Sequence, residues 1–142
     1  MRKGFSVVEL VIVASIIGIL AALVVPLVQT QATDAKTAAA KDNLRILRST
    51  IELYAANHGG VPPGYENNDR KGVLDEAVFR DQTVVETRYM RRVPENPFNG
   101  RQSILMIGNS QSFPGEATGD YGWVYQPSTQ TIRLDWPGVD DQ

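Results

Sequence analysis

The chain of 142 residues has no cysteine, so no disulfide staples it and no thiolate is present to hold a metal. Histidine occurs once, as His58 beside two glycines, where it reads as a helix cap rather than a catalytic base or a ligand. A nucleophile elbow, a Walker A loop, a GxGxxG fingerprint and an HExxH pair are all missing, so no residue constellation supports an enzyme. Charge of one sign is missing too. Acids and bases are interspersed to a net −2, without the basic face or the aromatic–basic interleaving that nucleic acid calls for.

What the chain does have is one long apolar run, GFSVVELVIVASIIGILAALVVPLV over residues 4–28, holding a single charge, Glu9. The other polar side chains of the run are Ser6 and Ser15, and neither neutralises a carboxylate. An ionised group near a bilayer core costs roughly 2.5–3.5 kcal/mol, so this one calls for a partner or a role. Leu10 to Val28 has the length a helix needs to cross the hydrocarbon core. Arg2 and Lys3 precede it and the uncharged Gln29-Thr30-Gln31 follows, which predicts a cytoplasmic N-terminus and an exported remainder. A secretory signal would be cut after its apolar stretch. Leu20-Ala21-Ala22 lies inside a run that stays apolar to Val28, so a retained span is the better expectation.

Arg2-Lys3-Gly4-Phe5-Ser6-x-x-Glu9-Leu10 followed by this run resembles the type III signal of type IV pilins and type II secretion pseudopilins. The resemblance covers about the first thirty residues, through Pro26, with Ser6 where the family often has threonine. It implies that a prepilin peptidase cuts between Gly4 and Phe5 and methylates Phe5. Glu9 then lies one helical turn from the new amine, on the same face. That places it in reach of its own amine or a neighbouring subunit's, and the family favours the neighbour. The alternative is a carboxylate that snorkels to the headgroups or titrates to neutral. Pro26 weakens the helix near the far end of the span, either as a routine kink or as the bend that pilin helices carry there.

Residues 32–57 keep helical character, and Leu44, Leu47, Ile51 and Tyr54 form one apolar stripe. His58-Gly59-Gly60 before Val61-Pro62-Pro63 stops that helix. A helix from Phe5 to about Asn57 would be roughly 80 Å long. Residues 62–69 should be irregular, and residues 75–85 hold a short helix. The stretch Tyr89 to Gly100, with Arg91, Arg92, Pro94 and Pro97, resembles the segment before the sheet in major pseudopilins. Phe98 stands in place of that family's tryptophan and Asn96 in place of an aspartate.

Strands are predicted over residues 103–107, 121–126 and 131–135, the last two as an antiparallel hairpin. The expected fold class is α+β, a long N-terminal helix packed against a small antiparallel sheet. The domain organisation is a leader over 1–4, a membrane and polymerisation helix over 5–28, and an exported globular part over 29–142. Secretion-type relatives bind calcium in a C-terminal loop. Here Glu116, Asp120, Asp135, Asp140 and Asp141 match no ligand template, so they read as solvated acids. No cofactor is called for, with calcium left as the alternative.

These features point to a structural subunit of a type IV-family filament, a type IV pilin, with Gly4 and Phe5 as processing residues and Phe5, Glu9 and Pro26 as assembly residues. The implied partners are further copies of the chain, the prepilin peptidase, an inner-membrane platform with its ATPase, and lipid before assembly. The implied location is the bacterial inner membrane and then a pilus. A secretion pseudopilin in a periplasmic pseudopilus is one alternative, and an anchored domain that never polymerises is another.

Overall fold

The computed structural model describes residues 6–85, 89–136 and 138, with residues 25–27 described as backbone only. Two compact units divide the chain, Met1–Ala35 and Lys36–Gln142, and helix α1 (Val7–Asn57) contributes to both.

In the first unit α1 is apolar on every side. Val8, Ile12, Ile16, Ile19 and Leu23 all lie exposed, and none of the most apolar stretch is buried within the chain. A helix apolar all round is a core or membrane helix. α1 is long and apolar enough to cross a bilayer. Two of its hydroxyls bond back to helix carbonyls. The Ser15 hydroxyl donates to the Val11 carbonyl at 2.7 Å and Thr33 donates to the Gln29 carbonyl at 3.1 Å. The helical backbone continues through residue 26.

In the second unit the spacing of the stripe is realised: Leu44, Leu47, Ile51 and Tyr54 are all buried, as is Ala40. The stop falls at Asn57. Gly59 takes φ +63° and Gly60 φ +86°, and the Gly60 N–H donates back to the Ala55 carbonyl at 2.8 Å. This is the 6→1 bond of a helix end turned by a left-handed glycine. His58, expected to be a solvated cap residue, is half-buried at the helix end. Its Nδ1–H donates to the Tyr54 carbonyl at 2.8 Å, and its ring stacks on Tyr54 at 3.9 Å.

The loop over residues 61–75, expected to be irregular through 69, instead contains a 3-10 turn at Glu66–Asn68 and an antiparallel bridge between Tyr65 and Leu74. It is pinned from the next element. Helix α2 (Glu76–Arg80) starts at Asp75, whose carboxylate accepts from the Ala77 N–H at 2.6 Å, and passes into a π-helical turn at Asp81–Val85. Gln82 of that turn is buried. It accepts from the Gly64 N–H at 2.8 Å and donates to the Tyr65 carbonyl at 3.0 Å and to Asn68 Oδ1 at 3.1 Å. The Tyr54 hydroxyl reaches the same Asn68 oxygen, so α1, the loop and the turn meet at one amide.

Three strands follow: β1 (Ile104–Met106), β2 (Trp123–Gln126) and β3 (Thr131–Leu134), in the order β1-β2-β3. The fold class is α+β, a long helix with a small sheet, and β2 and β3 form the expected antiparallel hairpin. The sheet is mixed, however, because β1 pairs with β2 in parallel. This corrects the expectation of a wholly antiparallel sheet. Parallel neighbours need a crossover of about a dozen residues, and the chain spends residues 107–122 on one. Ile104–Trp123–Leu134 and Met106–Tyr125–Ile132 form two cross-strand rows on one face. That face joins the α1 stripe, Phe79, Met90 and Val93 in a single core. β2 is buried on its second face too. The crossover lies there: Gln126 Nε2 donates to the Gly108 and Gln111 carbonyls, and Phe113 sits 4.6 Å from the Arg133 guanidinium.

Candidate assembly site

Glu9 lies in the first turn of α1 and is exposed. Its Oε2 accepts from the Ser6 N–H at 3.3 Å, and Ser6 Oγ accepts from the Val8 N–H at 3.3 Å. The two side chains thus cap the helix start, Ser6 at the N-cap accepting from the second helical N–H and Glu9, three residues on, reaching back to the Ser6 N–H as in half of a capping box. The sequence reading looked for the partner of Glu9 outside the segment and missed this one. The Ser6-x-x-Glu9 spacing was the available signal. The donor is a neutral amide, so the arrangement orients the carboxylate over the positive helix end without cancelling its charge. Gly4 and Phe5 lie outside the described residues, as do Asp140 and Asp141.

In the second unit the loop from Pro94 to Arg101 is built around Asn96, which is fully buried. Its Nδ2 donates to the Gly122 carbonyl at 3.1 Å and its Oδ1 accepts from the Phe98 N–H at 2.9 Å. The Trp123 indole donates to the Pro94 carbonyl at 2.9 Å, fastening the loop to β2. Phe98 stacks on Trp136 at 5.1 Å.

Asp135, expected to be solvated, is buried. Its carboxylate accepts from the Thr118 N–H at 2.9 Å, the Thr118 hydroxyl at 2.6 Å and the Gly119 N–H at 3.2 Å. Three donors supply what water otherwise would, and burial becomes affordable. Glu116 and Asp120 are exposed. Among the described residues no three acidic or imidazole groups are placed to hold a metal ion. Among the described residues, Tyr125 carries a buried hydroxyl without a hydrogen-bond partner. Burial pushes its phenol well up, with Tyr65 adding to the effect.

A helix of membrane length and a small helix-and-sheet unit make a pilin-like α+β arrangement. Relatives agree. The chain is 24% identical over 112 residues to the type II secretion system core protein G of Pseudomonas aeruginosa, covering 79% of each chain. It is 25% identical over 126 residues to the protein of the same name from Aeromonas hydrophila, covering 84% of this chain and 88% of that one. The type IV major pilin protein PilE1 of Neisseria gonorrhoeae is 38% identical over 73 residues, 51% of this chain and 42% of the pilin. No family model and no solved structure matches. The chain fits the pilin and pseudopilin family, whose members here carry no enzyme's name.

Proposed function

We propose that the chain is a structural subunit of a type IV-family filament, anchored in the bacterial inner membrane by α1 with its second unit exported. The observation that carries this reading is Glu9, a carboxylate oriented at the start of an otherwise apolar helix. Cleavage between Gly4 and Phe5 removes Arg2 and Lys3 and leaves a cationic amine on Phe5. That amine pairs with Glu9 of an adjoining copy as the apolar helices pack together, and Pro26 weakens α1 at the far end of the span. The membrane platform and its ATPase extract each copy from lipid.

Two members of the class differ in where the filament stands, an extracellular type IV pilus or a periplasmic pseudopilus. Relatives of both names match, the core G proteins over more of their length and the pilin at higher identity, so the comparisons support both members of the class. Mass spectrometry of the N-terminus tests the class. Loss of residues 1–4 with gain of one methyl group is the expected result, and an intact Met1 or a cut after Ala22 defeats it. Electron microscopy of cells with and without the chain then separates surface pili from periplasmic filaments.

A further inference from the structure

The crossover over residues 107–122 is held from outside by five side chains. Gln126 Nε2 donates to the Gly108 and Gln111 carbonyls at 3.0 and 3.1 Å. The Ser103 hydroxyl donates to the Asp120 carbonyl at 3.1 Å, and Asn99 Nδ2 to the Tyr121 carbonyl at 2.8 Å. Asn96 Nδ2 donates to the Gly122 carbonyl, which also accepts from the Asp135 N–H at 3.0 Å. Asp135 completes the set with its carboxylate, bound to Thr118 and Gly119.

Calcium, the alternative raised by the resemblance to secretion pseudopilins, asks for about 6–8 oxygen ligands around one point. The groups described here do not fit it. Asp135 is 1% exposed, and N–H or O–H donors fill three of the roughly four acceptor positions of its carboxylate. The successive N–H groups of Thr118 and Gly119, with Gly119 at φ +78°, form a concavity that takes an anion and repels a cation. The crossover carbonyls at residues 108, 111, 120, 121 and 122 already accept from amide or hydroxyl donors. Between Gln126 and Asp135 the sequence has no acid. The turn there, Pro127–Thr129, is closed by the Gln130 N–H on the Pro127 carbonyl at 3.1 Å. The two acids of the crossover itself, Glu116 and Asp120, are exposed.

We propose that residues 107–122 are locked by the chain's own side chains, Asp135 above all, in the role a calcium ion would otherwise fill, so that the second unit folds and holds its shape without calcium. This goes beyond the filament reading and does not depend on it. A carboxylate removed from water needs its charge met, either by a cation or by several converging donors. Here the donors belong to the chain. The lock therefore closes on folding and does not respond to the concentration of an ion.

The test uses the full chain in detergent micelles, melted in excess EGTA and again in about 10 mM calcium, well above the dissociation constants of extracellular calcium modules. The two midpoints should agree within about 1 °C, whereas a resident ion would separate them by about 5 °C or more. Asp135→Asn and Thr118→Val should each lower the midpoint, by the same amount in both buffers. Hydrogen exchange at the wild-type Thr118 and Gly119 amides should be equally slow with and without EGTA. A calcium-dependent rise above that margin overturns the proposal, as does faster exchange of those amides in EGTA or a variant whose loss of stability vanishes there. Should either variant fail to fold, the wild-type melts and exchange decide. None of these readouts requires a filament, so failure of the filament reading leaves them unchanged.

Discussion

Asn96 and Gly122 meet through a 3.1 Å hydrogen bond, from the Asn96 amide to the Gly122 carbonyl, at a point where a Cβ on residue 122 would overlap the Arg101 carbonyl oxygen. Glycine is needed there because backbone passes against backbone. The bond ties the loop before the sheet to the residue that enters β2.

Gly122→Ala should therefore destabilise the domain by about 2 kcal/mol or more, since backbone rather than a flexible side chain must move. Asn96→Ala should cost about 1–3 kcal/mol by leaving the Phe98 N–H without its partner and the Gly122 carbonyl with the Asp135 N–H alone. Urea denaturation followed by circular dichroism checks both, and an unchanged midpoint for either would refute the arrangement.

Residues 46 and 47 should respond in opposite ways. Leu47→Ala opens a cavity in the core and should cost about 3 kcal/mol. Ile46→Ser alters an exposed side chain and should stay within about 0.5 kcal/mol. Thermal melts of the two variants side by side provide the measurement.

Asp135→Asn should loosen the crossover by about 1–3 kcal/mol, because an amide offers one acceptor where the carboxylate serves three donors. Hydrogen exchange at the Thr118 and Gly119 amides should speed up, and exchange in the α1 stripe should change only as far as global stability falls.

Tyr125 predicts a pH effect. Its phenol is held neutral in the folded chain, so its folded pKa lies above the unfolded value of about 10. A raised pKa contributes stability that is complete below the unfolded value and is lost as pH rises beyond it. Stability should fall above about pH 10, and Tyr125→Phe should remove part of that fall. At neutral pH the same variant should be unchanged or more stable by about 1 kcal/mol, because a buried hydroxyl without a partner is deleted. Alkaline denaturation curves of the two chains decide it.

Glu9 has two roles that substitution can separate. Glu9→Gln keeps the hydrogen bond to the Ser6 N–H and loses the charge, whereas Glu9→Val loses both. If the charge builds the filament, both variants insert, are processed and fail to assemble. Normal filament yield from Glu9→Gln would reduce Glu9 to a helix cap.

Local and periodic features were legible in the residues alone. The span, the stripe Leu44–Leu47–Ile51–Tyr54, the glycine stop and the β2–β3 hairpin depend on neighbours a few positions apart, and their physics is written in spacing. The cap formed by Ser6 and Glu9 is equally local, and its signal is the Ser6-x-x-Glu9 spacing.

Other features rest on residues brought together from far along the chain. The parallel pairing of β1 with β2 depends on the path of residues 107–122, and the burial of both faces of β2 follows from the same path. Asp135 reads as one more acid near the end of the chain until Thr118 and Gly119 arrive to bind it. By itself the sequence determined the elements and their apolar faces, because those follow from short-range sterics and periodic burial. Only the tertiary structure decided strand direction, which acids are solvated and which surfaces remain open, because these depend on how distant segments desolvate one another.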